Sequence, residues 1–135
     1  MGLAGAVLGL LLAAGVGLAA PAALEQAYEG TQEAGGPVRL TVQTEPPQII
    51  AFEVEGVAGG GCSWDTITLE NWGGPLAVVD DHFGATNADG DVLDGAWVAR
   101  EPAGTRIEGT ITLHDPIKGC ETPPLRWVAV LTPAP

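Results

Sequence analysis

Residues 37–54 show the clearest periodicity in the chain. Val38, Leu40 and Val42 alternate with Arg39, Thr41 and Gln43, a two-residue period that turns one face of a strand inward and the other to water. Pro46-Pro47 ends the run, because proline cannot donate to a ladder. Ile50, Phe52 and Val54 then resume it against Ala51, Glu53 and Glu55, before a glycine-rich turn over residues 56–61. The spacing predicts a hairpin. Ile67 and Leu69, set among Thr66, Thr68 and Glu70, predict a short third strand closed by Gly73-Gly74-Pro75. Residues 76–79 predict a fourth, with Phe83 just beyond the acidic Asp80-Asp81, and residues 93–99 a fifth with Trp97 on one face. Over residues 105–113, Ile107, Gly109, Ile111 and Leu113 oppose Arg106, Glu108, Thr110 and Thr112. The last strand, residues 125–131, aligns Leu125, Trp127, Ala129 and Leu131, while Val128 and Val130 add a second apolar face that suits a central position.

Two segments lack this pattern. Residues 84–91 hold no hydrophobe larger than alanine, and their Asn, Asp and Gly residues read as a surface loop. Residues 23–36 read as a polar lead-in with at most a short helical turn at 24–29. Residues 37–132 therefore form a single all-β domain of about seven short strands, most with one polar face. Burying those faces sheet against sheet gives an antiparallel β-sandwich, favoured over an open barrel. Residues 133–135 are a C-terminal tail.

Composition narrows the class further. The 20 Gly and 11 Pro residues disfavour a helical bundle, and a hydrophobic share of 46% is too high for a wholly disordered chain. Seventeen acidic residues against five basic ones give a formal charge of −12. Such a surface repels a phosphate backbone, so nucleic-acid binding is excluded.

Residues 1–22 carry no charged side chain and are dense in Leu, Ala, Val and Gly. They read as a signal peptide, with Ala20 and Ala22 as the small-residue pair before a processing point. About 20 apolar residues can also just span a bilayer, so a retained anchor is the alternative. The segment lacks the cysteine that lipid attachment would need. Export predicts a secreted or cell-surface protein, extracytoplasmic, without membrane insertion once the leader is cleaved, and a monomer. It also makes an oxidised Cys62–Cys120 pair the natural reading of the two cysteines. That bridge closes a loop of about 59 residues and is worth roughly 4 kcal/mol through chain entropy. Adding His82 and His114 to the two cysteines gives zinc-ligating atoms without a zinc-site spacing.

Tyr28-Glu29-Gly30-Thr31, Cys62, Asp81-His82-Phe83, Gly95-Ala96-Trp97, Glu108-Gly109-Thr110-Ile111, Cys120 and Trp127 follow one another over about residues 28–130. This order resembles a family of small uncharacterised bacterial secreted domains, in which an N-terminal Tyr-x-Gly-Thr, two cysteines and a late Trp recur. The resemblance implies a β-sandwich-like fold and an extracytoplasmic setting. It implies no established activity and supplies no catalytic residues.

The acidic stretch holds the strongest candidate chemistry. Asn87, Asp89, Asp91 and Asp94, with Asp80 and Asp81 nearby, offer alternating oxygen ligands of the kind Ca²⁺ takes. The spacing is not that of an EF-hand, since Val92 and Val98 stand where glycine and glutamate are required. The plainer reading is a solvated turn that keeps an exported protein soluble. Asp80, Asp81 and Glu101 could supply a glycosidase pair. Ser63, the sole serine, could join His82-Asp81 or His114-Asp115 in a triad, but without a G-x-S-x-G elbow. Trp97 and Trp127 follow the buried phase of their strands, whereas Trp64 and Trp72 lie near glycine-rich turns and are the candidate contact surface. These features point to a noncatalytic binding or structural module for an unknown extracellular protein or glycan, with no cofactor beyond candidate Ca²⁺. The alternatives are a carbohydrate- or Ca²⁺-dependent binding protein and a small secreted hydrolase.

Overall fold

The computed structural model describes residues 25–99 and 105–133. Eleven strands are formed among them: β1 (Glu25–Gln32), β2 (Pro37–Thr44), β3 (Pro47–Gly59), β4 (Cys62–Thr68), β5 (Leu76–Ala77), β6 (His82–Thr86), β7 (Val92–Ala99), β8 (Arg106–Thr112), β9 (His114–Asp115), β10 (Cys120–Glu121) and β11 (Leu125–Leu131). Eight of them make one antiparallel curled sheet in the order β4-β3-β2-β1-β11-β8-β7-β6. The first four strands step outward in one direction and the last four in the other, so the first and last strands meet in the middle. β5 adds to β3, and β9 and β10 form a separate short hairpin.

Contacts across the interior show how far the sheet curls. β3 and β11 are three positions apart in the sheet, yet the rings of Phe52 and Trp127 meet with centroids 5.6 Å apart. Trp127 also meets Phe83 of β6, and Trp97 of β7 meets both Tyr28 and Phe83. The two halves thus face each other over one apolar cluster, as expected of sheet packed on sheet. The late strands match their sequence phase, with Ile107, Ile111, Leu113, Trp127 and Ala129 all buried. Glycine makes this packing fit. Gly95 and Gly109 lie opposite each other on β7 and β8, and a Cβ on Gly95 would stand 2.5 Å from Phe83 Cζ and 2.9 Å from Trp127 Cζ2.

Three expectations are corrected. The lead-in over residues 23–36 contains β1, a strand that pairs with both β2 and β11, in place of a helical turn. Its inward side chains are Tyr28 and Gln32, with Gly30 between them, so no hydrophobic period marks it. The loop expected over residues 84–91 begins as β6, and only its second half turns. In β3 the register shifts opposite residues 41–42, pairing Thr41 with Ala51 and Val42 with Ile49. Ile50 is the extra residue of this bulge, which buries Ile49 and leaves Ile50 half-buried.

β4 and β5 occupy successive parts of the lane beside β3: β4 pairs with residues 53–59 and β5 with residues 48–49. Between them a 3-10 turn, Leu69–Trp72, buries Leu69 and ends at Gly73, whose φ of 92° requires the left-handed region. Residues 79–82 then form a tight hairpin into β6, with Val79 and His82 exchanging both backbone hydrogen bonds. The central residues Asp80 and Asp81 have φ of 53° and 61°, the positive values a two-residue hairpin turn demands.

At one end of the molecule, Cys62 and Cys120 form a disulfide, with Cα atoms 6.1 Å apart. The bridge ties the start of β4 to the β9–β10 hairpin. Gly60 (φ 62°) lies against the Glu121 carbonyl, leaving no room for a Cβ. Thr122 is buried beside it, its Oγ1 accepting the Leu113 N–H at 3.0 Å.

Candidate functional site

The acidic loop that begins after β6 is built around one buried carboxylate. Asp91 is only 5% exposed. Its Oδ1 accepts the His114 backbone N–H at 2.7 Å, and its Oδ2 accepts the side-chain amides of Asn71 at 3.0 Å and Asn87 at 3.1 Å. The Asp91 carbonyl accepts the Trp72 indole N–H at 3.0 Å. Asn87 closes its own turn, its Oδ1 accepting the N–H groups of Asp89 and Asp91, while its amide also donates to the Asn71 carbonyl. Asp94 accepts both the N–H and the hydroxyl of Thr110 at 3.1 Å. The 3-10 turn and the turn after β6 are therefore joined by side-chain hydrogen bonds, several of them charge-assisted.

Of the candidate Ca²⁺ ligands, Asn87, Asp91 and Asp94 thus direct their side-chain oxygens at protein donors, and Asp89 is exposed. Among the described residues, no group of three or more His, Cys, Asp or Glu side chains is placed to hold a metal ion. Asp80 and Asp81 sit exposed on their hairpin turn, and Glu101 lies outside the described residues. Ser63 is exposed on β4 beside the oxidised Cys62, and His82 is exposed at the start of β6. His114 is half-buried on β9, its Nε2 3.1 Å from Glu121 Oε1 and its Nδ1 buried without a partner. The two candidate contact tryptophans lean on the core. Trp72 meets Phe52 edge-on and spends its N–H on Asp91, and Trp64 is half-buried on β4. Trp97 is half-buried and donates to the Tyr28 hydroxyl at 3.0 Å. The expected leader, residues 1–22 with Ala20 and Ala22, lies outside the described residues.

Two open spaces among the described residues lie on the outer surface of the sheet. One, of about 510 Å³, is set over β1, β2 and β3 and bordered by Glu29, Arg39, Glu53 and Glu70. The other, of about 640 Å³, crosses β1, β11 and β8 and is bordered by Thr31, Val98, Arg106, Glu108, Arg126 and Val128. In the first, Arg39 bonds Glu53 at 2.8 Å and Glu55 at 3.2 Å. The hydrogen bond to Glu55, then the charge of Glu53, holds its guanidinium pKa above the ordinary value. In the second, Arg106 pairs with Glu108, and Glu33 Oε1 accepts the Arg126 N–H. Sequence reasoning missed both spaces, because each takes shape only once three strands are paired in register.

No family model, curated protein or solved structure matches this chain. The two cysteines that order the sequence motifs are joined, and the late Trp127 is buried at the centre of the aromatic cluster. The disulfide is consistent with an extracytoplasmic location. No helix among the described residues is long and apolar enough to cross a membrane.

Proposed function

We propose that the protein is a noncatalytic extracytoplasmic binding module that offers the outer surface of its curled sheet to a partner. The observation that carries this reading is the separation of inside from outside. The interior is filled by one cluster of apolar side chains, whereas the two hollows, bordered by charged groups, lie on outer strand faces. A concave apolar floor with a few polar groups at its edge is the usual form of a recognition surface. Asp91, Asp94 and Asn87 support the reading differently, by holding the frame that carries those faces. The apolar character of residues 1–22, the disulfide and a motif order that resembles that of small secreted domains support the exported setting.

The test is an array of short peptides and glycans probed with the oxidised protein, alongside variants that fill each hollow, Ala51→Leu and Thr31→Trp. The expected result is saturable binding to a subset of the array, lost in one of the two variants. Absence of binding by the unmutated protein would sink the reading. So would turnover of ester, peptide or glycoside substrates that disappears on replacing Ser63, His82 or Asp81.

A further inference from the structure

The hollow over β1, β2 and β3 exists because three facing residues are small. Ala27, Thr41 and Ala51 lie opposite one another across the three strands. The β3 bulge sets Ile50 beside them, giving the hollow an apolar wall. The next row across the sheet is Glu29, Arg39, Glu53 and Thr68, and Glu70 of the 3-10 turn stands on the border. Arg39 is engaged by Glu53 and Glu55, so its charge is already answered. Glu29 and Glu70 are exposed on the same border, in a chain whose formal charge is −12. Small residues below, with Ile50 as an apolar wall, and carboxylates above match an aliphatic stem with a cationic head, the form in which Lys and Arg side chains lie on apolar surface.

We propose that this hollow is a docking site for a lysine or arginine presented by an extended basic segment of a partner polypeptide. The stem lies over Ala27, Thr41 and Ala51, and the border carboxylates Glu29 and Glu70, on opposite sides of the row through Arg39 and Glu53, attract the head. Charge complementarity selects this occupant: the acidic surface steers a basic segment in and repels an acidic one. The hollow is open at the surface, which suits a side chain carried on a polypeptide better than a small molecule that must be enclosed. The proposal rests on the binding-module reading above and names the partner's chemistry for one of the two hollows.

The experiment is a titration of the isotope-labelled, oxidised protein, read by backbone amide shifts, with a blocked hexapeptide of alternating valine and lysine. The same peptide with glutamate for lysine, and spermidine, serve as controls. Saturable shifts are expected at Ala27, Thr41, Ala51 and Glu70 with the lysine peptide only. Glu29→Gln with Glu70→Gln should weaken binding about fivefold or more, and Ala51→Leu about tenfold. Glu45→Gln with Asp89→Asn removes the same formal charge elsewhere on the exposed surface and should weaken it less than about twofold. Equal weakening by the two double variants would reduce the effect to general charge attraction and overturn the proposal. Spermidine binding as tightly at the same amides would overturn the polypeptide occupant. Absence of saturable shifts with the lysine peptide would overturn it too. Shifts centred on Val98, Thr110 and Val128 would place binding in the other hollow, refuting this inference while leaving the binding-module reading intact. The array separates both results from failure of that reading.

Discussion

Replacing Asp91 by alanine tests whether the acidic loop is a structural tie. The carboxylate accepts three hydrogen bonds, from His114 N, Asn71 Nδ2 and Asn87 Nδ2, while nearly buried. Hydrogen bonds to a charged group are worth about 1.5–3 kcal/mol each. Two terms reduce the net loss. Asn71 and Asn87 are half-exposed, so their amides regain water, and the substitution also relieves the cost of keeping a carboxylate out of water. We therefore expect Asp91→Ala to lower unfolding free energy by about 3–5 kcal/mol. Asp91→Asn should lose about 2–4 kcal/mol, since its amide would meet donors where Oδ2 now accepts. Asp89→Asn, on the same turn but exposed, should change stability by less than about 0.5 kcal/mol. Urea unfolding followed by tryptophan fluorescence measures all three, with an unchanged denaturant slope as the check that the comparison is sound. A loss below about 1 kcal/mol in Asp91→Ala, or an equal loss in Asp89→Asn, would refute the structural role.

Four further outcomes are expected. Gly95→Ala should cost about 2–3 kcal/mol, because its methyl group would press on Phe83 and Trp127, and Phe83→Leu should restore part of that loss in a double-mutant cycle. Asp80→Asn combined with Asp81→Gly should stabilise the protein by about 1 kcal/mol, since both positions have positive φ and Asn-Gly suits such a turn; a loss would show that the aspartates hold the turn in another way. Reducing the Cys62–Cys120 bridge, or replacing both cysteines by alanine, should cost roughly 4 kcal/mol in denaturant unfolding. Thermal unfolding in EDTA and across a Ca²⁺ titration should show no saturable rise in midpoint, because Asn87, Asp91 and Asp94 already face protein donors; a saturable rise would return cation binding to the loop.

Strands with large apolar residues at most of their inward positions were legible in the sequence. β8 and β11 read correctly because Ile107, Ile111, Trp127 and Ala129 keep strict alternation. β1 was hidden for a packing reason. A Cβ on Gly30 would stand 1.7 Å from the Val128 carbonyl oxygen, so this inward position must stay empty. Gln32 also faces inward, its amide donating to the carbonyls of Glu55 and Gly56. Only Tyr28 remains to signal burial. β6 likewise shows one large buried residue, Phe83. The Ile49–Ile50 phase depends on a bulge set by strand pairing, which no local period contains. The hollow was illegible for a related reason, since Ala27, Thr41 and Ala51 become neighbours only once three strands are in register.

Why the sheet spends a buried carboxylate on its edge follows from the backbone between β4 and β5. Residues 69–75 turn through a 3-10 helix, two glycines of positive φ and Pro75. Helical and left-handed backbone cannot present the regular row of donors and acceptors that a neighbouring strand needs, and Pro75 has no N–H to give. The lane beside β3 is thus unable to continue as a ladder toward β6 over this stretch. Asn71 and Trp72 replace it with side-chain donors directed at Asp91. The negative carboxylate makes the Asn71 bond stronger than a neutral one, such as that from Trp72 to the Asp91 carbonyl, which compensates for there being few of them. The same logic predicts where the structure opens first when Asp91 is lost. In Asp91→Ala, hydrogen exchange should accelerate at β6 amides by a larger factor than at β2, whose ladders to β1 and β3 do not involve the substituted carboxylate. Uniform acceleration across both strands would mean that Asp91 stabilises the whole cooperative unit and not this edge in particular.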